Sequence, residues 1–194
     1  IPKTVPLALL LLGAACGHPE LEPLDGAGFG VVARRIERAR GALGPGLGAD
    51  GGDGDLAVAP EGYLLVTPLA RSGDFGHAVL LLEPESQVIV PIFIAGTEAL
   101  SIQLRLAGEK FSRPLTHDLF DSFRSRLGVT MVRAQVDALR EQVYVGTVVF
   151  SRGGQYLRLD ARPSDAIALA IGNKAPIFVS RALLDQAGVK REDL

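Results

Sequence analysis

Most of the chemistry available to this chain sits in eight side chains, spread over three short polar segments. Four are carboxylates, Glu98, Asp118, Asp160 and Asp165; the others are His117, Arg113, Arg162 and Ser164. Carboxylates hold hard divalent ions or take a proton from water. A histidine moves protons near neutral pH, and an arginine grips phosphate through two parallel hydrogen bonds. Ser164 stands where a helix begins, beside free backbone N–H groups that receive anions. Together these types fit hydrolysis of a phosphodiester, which needs an activated water, charge stabilisation on phosphate and help for the leaving oxygen.

The chain has one cysteine, Cys16, and three histidines, His18, His77 and His117. A cysteine-based zinc site is therefore excluded, and a metal would sit among carboxylates, which favours Mg²⁺, Mn²⁺ or Ca²⁺. Glu98, Asp160 and Asp165 are the expected ligands, with Mg²⁺ or Mn²⁺ as the cofactor. Each acid also has a structural reading. Asp165 and Ser164 can stabilise a helix's first turn, and Asp160 can pair with Arg162 at the corner before that helix. Asp118 lies in the first turn of its own helix, with His117 covering the end. Glu98 is the acid that capping explains least.

Elements must position these groups. Asp160–Asp165 precedes the run Ala166–Ile171, apolar on every side and so expected to be a buried helix, with Pro163 in its first turn. Thr116–Leu127 reads as a helix with Leu119, Phe120, Phe123 and Leu127 on one face, Thr116 as N-cap and Gly128 as stop. Arg181–Gly188 is a shorter terminal helix. Thr97–Leu106 is ambiguous between helix and strand. Strand-like runs cover Tyr63–Val66, His77–Leu82, Gln87–Ile94, Val129–Asp137, Gln142–Ser151, Gln155–Leu159 and Ala175–Ser180. Strands with helices between them, without regular βαβ alternation, predict a compact α+β fold: a mixed, largely antiparallel sheet with three to four helices.

The N-terminal third differs. Residues 1–16 combine Lys3, a short apolar run and small residues before Cys16, the pattern of a secretory signal. Small residues before a cysteine resemble a bacterial lipobox, with Gly13 where leucine is usual. This predicts lipidation of Cys16, membrane attachment through that end and an envelope or periplasmic location; a misassigned start would instead leave the protein cytoplasmic. Residues 17–60, rich in Gly and Pro, read as a flexible linker, and 61–190 as the folded domain. The net charge of −2 excludes a broad basic surface for nucleic acid, so any phosphate site must be local.

Three segments together carry a family resemblance: Pro91–Ala99, Arg113–Leu119 and Asp160–Leu169. In this order and spacing they resemble the bifunctional nuclease domain, over about Tyr63 to Gly188. The resemblance implies a compact α+β fold that tends to oligomerise, with Thr97–Leu106 helical, and an activity on DNA and RNA described for plant members. Two readings follow. One is a nuclease, metal-assisted, acting through the carboxylates with His117 and Arg162. The other is a non-catalytic module of the cell envelope that binds an anionic ligand or a protein.

Overall fold

The computed structural model describes residues 58–73 and 76–193. Cys16, the signal segment and nearly all of the linker lie outside the described residues. Eight strands form one sheet: β1 (Tyr63–Gly73), β2 (Gly76–Leu82), β3 (Val88–Ile94), β4 (Thr130–Arg140), β5 (Val143–Arg152), β6 (Gln155–Ala161), β7 (Ile177–Ser180) and β8 (Val189–Lys190). Their order across the sheet is β6-β5-β4-β7-β1-β2-β3-β8. Every neighbouring pair is antiparallel except β4 and β7. Four α-helices accompany the sheet among the described residues: α1 (Gly96–Ala107), α2 (Thr116–Arg126), α3 (Pro163–Asn173) and α4 (Arg181–Ala187). The fold is thus the expected α+β, largely antiparallel.

Alternation along the strands explains where the core lies. Val66, Val79, Leu81, Val90, Ile92, Ala134, Val136, Val148, Ile177 and Val179 share one face and are all buried. α3 lies on that face with α1 and α2 against its other sides, so Ala166, Ile167, Ala168, Leu169 and Ala170 are all buried, which explains why its sequence is apolar all round. α1 adds Ala99 and Ile102, and α4 adds Leu183 and Leu184.

Helix ends bear out one expectation and correct another. The segment from Thr97 to Leu106 is helical, and α1 stops at Gly108, whose φ of 76° is the left-handed conformation glycine tolerates best. Thr116 is not the cap of α2. Leu115 takes that position, and the Asp118 carboxylate accepts its backbone N–H at 2.9 Å. α3 opens on Arg162 as N-cap with Pro163 next, where a missing N–H costs no helical bond.

Candidate functional site

The turn that leads β6 into α3 carries Arg162 and Asp165 three residues apart, on the first turn of a buried helix. The first turn of α1 brings Glu98 beside them, and the first turn of α2 brings His117. The Arg162 guanidinium donates from Nε to Asp165 Oδ2 at 2.8 Å and from Nη2 to Asp165 Oδ1 at 3.0 Å. The same Nη2 donates to Glu98 Oε1 at 2.9 Å. His117 Nε2 lies 3.2 Å from Asp165 Oδ1, and His117 Nδ1 lies 2.9 Å from Ser101 Oγ. Thr97 Oγ1 donates to the other oxygen of Glu98 at 2.6 Å. One hydrogen-bonded chain therefore runs Thr97–Glu98–Arg162–Asp165–His117–Ser101.

The hydrogen-bond roles in this chain are constrained. An ionised carboxylate only accepts, so His117 Nε2 carries a proton and donates it to Asp165. A neutral ring in this orientation keeps its lone pair on Nδ1, facing the hydroxyl of Ser101. Ser101 is only 3 % exposed, so that lone pair points into protein rather than toward solvent. Arg162, in the middle of the chain, is open to solvent, its side chain 67 % exposed.

Electrostatics hold both acids ionised. The Thr97 hydroxyl, with further help from Arg162, holds the Glu98 carboxyl below its ordinary range. Burial pushes the Asp165 carboxyl up, but hydrogen bonds from Arg162 and His117 outweigh it and hold the group low. Arg162 in turn keeps its proton more firmly than usual, chiefly through Asp165. Arg162 is thus one cation set between two anions.

The remaining predicted residues stand elsewhere. Asp118 faces the protein: Oδ1 accepts from Arg105 Nη2 at 2.8 Å while Oδ2 caps α2. Asp160 pairs in register with Thr147, and the next residue, Ala161, packs against the helix-covered core. Alternation therefore turns Asp160 to the opposite face of the sheet, where Thr147 bonds Asp137. The expected Asp160–Arg162 pair does not form, because Arg162 reaches forward to Asp165 and across to Glu98. Arg113 is exposed on the loop between α1 and α2, and Ser164 is buried in the first turn of α3.

As a metal site, the set Glu98, Asp160 and Asp165 does not assemble. Two of the three carboxylates converge, and a guanidinium lies between them. Ser101 and Thr97 were not among the predicted residues. Ser101 is one helical turn beyond Glu98, a relation visible only once Thr97–Leu106 is read as helix.

The family model for the bifunctional nuclease domain matches residues 79–192, which takes in the end of β2, all of β3 through β8 and every residue of the cluster. The chain belongs to the bifunctional nuclease domain family. An uncharacterised protein of Mycobacterium tuberculosis is 35 % identical over 111 residues, 57 % of this chain and 66 % of that protein. A rice protein named bifunctional nuclease 1 is 25 % identical over 118 residues, 59 % of this chain and 36 % of its own. The Arabidopsis thaliana protein of that name is 23 % identical over 115 residues, 35 % of its length. The chain thus spans just under two thirds of the mycobacterial relative and about a third of the plant ones. The family match starts within β2, so β1 lies outside the matched span although it is a central strand of the sheet.

Proposed function

We propose that this domain binds nucleic acid and hydrolyses its phosphodiester bonds at the Glu98–Arg162–Asp165–His117 cluster. The observation that carries the reading is the convergence of three helix starts, where Glu98 and Asp165 meet the exposed guanidinium of Arg162 and His117 backs Asp165. The names of the plant relatives support the same substrate class. In this reading Arg162 binds the non-bridging phosphate oxygens, which requires it to give up bonds to Asp165 and Glu98. Loss of those bonds removes the strongest influence holding Asp165 low, so phosphate binding itself makes Asp165 a better base. Asp165 then takes the proton of the attacking water, while His117 fixes the orientation of the carboxylate and Ser101 fixes that of the ring.

Metal assistance by Mg²⁺ or Mn²⁺ belongs to the proposal. A bound divalent ion would supply charge neutralisation at the phosphate. Glu98 is the carboxylate placed to hold it after Arg162 has moved, which leaves Asp165 to act as base. Lipidation of Cys16, with an envelope location, is the corresponding proposal for the N-terminal region, tested by the membrane partition of a Cys16→Ser variant.

The second reading, an anion- or protein-binding module without catalysis, is favoured by one feature. Both carboxylates are paired and ionised, and the only ring lone pair faces a buried hydroxyl. Incubating the full chain with single-stranded DNA and RNA, in Mg²⁺, Mn²⁺ or EDTA, separates the two. Cleavage that falls by about a hundredfold in Arg162→Ala, Asp165→Asn and His117→Ala supports the nuclease. Cleavage unchanged in all three variants sinks the site, and binding without cleavage supports the module.

A further inference from the structure

Helix α2 is inside out. His117, Asp118, Asp121 and Arg124 face the protein, bonded to Asp165, to Arg105 (Asp118 and Asp121 alike) and to Asn173. None of its residues is buried, and Leu119, Phe120 and Phe123 stand on the solvent side. Leu119 is 67 % exposed and Phe123 61 %. Phe120 rests on Phe150 of β5, ring centroids 5.9 Å apart. Phe150 pairs in register with Leu157 of β6, and Val148 with Leu159. An apolar surface therefore continues from α2 over the sheet to Leu157 and Leu159, which are 54 % and 40 % exposed.

This surface borders an open strand edge. β6 is the last strand of the sheet, and no described strand pairs with its outer side. Natural proteins usually protect such an edge, because its free N–H and C=O groups are a template for another strand. The polarity of the edge follows from the hairpin. β5 and β6 join through Gly153 and Gly154, both with positive φ, as a two-residue type I′ turn requires. Arg152 and Gln155 then form the hydrogen-bonded closing pair. Alternation makes Phe150–Leu157 and Val148–Leu159 hydrogen-bonded pairs too. Tyr156, Arg158 and Asp160 are left with their backbone groups directed outward.

We propose that this face receives a second copy of the chain, with the two β6 edges joined as antiparallel neighbours and Leu159 on the two-fold axis. The charges select that register. Centring on Leu159 sets Arg158 of each copy opposite Asp160 of the other, in outward hydrogen-bonded pairs. Centring on Arg158 would set like charges face to face, which is unfavourable. In the first register the leucines of both edges and the outward faces of both α2 helices lie on the same side of the joined sheet. The interface is isologous, so it closes at two copies.

Sedimentation of the full chain at micromolar concentration tests this, with thermal melts to confirm folding. The expected result is a dimer, with Arg158→Asp weakening association at least about tenfold and Arg158→Asp/Asp160→Arg restoring it. Leu159→Lys, at an exposed position, is expected to give folded monomer; should it fail to fold, the charge swap alone decides. A monomeric wild type overturns the proposal. So does self-association that ignores the swap, which would place the contact elsewhere in the chain. A monomer whose β6 and α2 amides are protected by a single-stranded oligonucleotide would also overturn it, in favour of a nucleic-acid surface.

Discussion

Arg162 is asked to do two things that oppose each other. Its guanidinium neutralises Glu98 and Asp165, and it is also the group most exposed to an incoming phosphate. The cost of the first task shows in the acids: both titrate below their ordinary values. A carboxyl with a lowered folded pKa contributes stability above its unfolded pKa, about 4, and loses that contribution as pH falls through the folded value. Asp165→Asn is therefore expected to be less stable than wild type at pH 7. Its melting temperature should fall less steeply between about pH 5 and 2, as a pH series of thermal melts would show. Arg162→Ala should raise the Asp165 pKa, read by NMR titration of the carboxyl carbon; an unmoved value would remove the link between phosphate binding and base strength.

At the scale of elements, two acids of α2 share one arginine from α1. Arg105 of α1, its side chain 7 % exposed, donates to Asp118, to Asp121 and to the carbonyl of Ala168 in α3. Arg105→Ala leaves Asp118 without its cation and Asp121 with only Arg124 at 3.5 Å, and is expected to destabilise the fold by roughly 3 kcal/mol, with faster amide exchange over α2 than over α3. Gly172 makes room for this arginine: a methyl group there would stand 1.8 Å from Arg105 Nη1. Gly172→Ala should therefore damage the same helix, and combining it with Arg105→Ala should cost less than the sum of the two. Much of this level was legible in the sequence. α3 announced itself by being apolar all round, and the strands by alternation and glycine turns. The period of α2 was equally clear, but its orientation was not. A 3.6-residue pattern says which residues share a face, whereas the inward side was decided by Arg105, Asp165 and Asn173, remote in sequence. Asp160 was misplaced for a related reason. Its distance from Arg162 along the chain suggested a pair, and only the end of β6 at Ala161 shows that it faces away.

For the molecule as a whole, charge is nearly balanced and cationic help for phosphate is local. Nucleic-acid binding should then depend only weakly on salt, with a slope of log K against log salt of about −1 to −2, as for one or two phosphate contacts. A steep slope would point to basic residues beyond the cluster. The sheet also has an order of assembly written into it. β7 lies between β4 and β1, is buried at all four residues and joins the two antiparallel halves of the sheet, yet it comes after nearly all of their strands in the chain. A ribosome must therefore finish almost the entire domain before its middle strand exists. Until then β1–β3 and β4–β6 can form only as separate meanders with raw inner edges. A chain that ends just before Ile177 should have no cooperative melting transition at all, although it would lack only the last eighteen residues of this sequence.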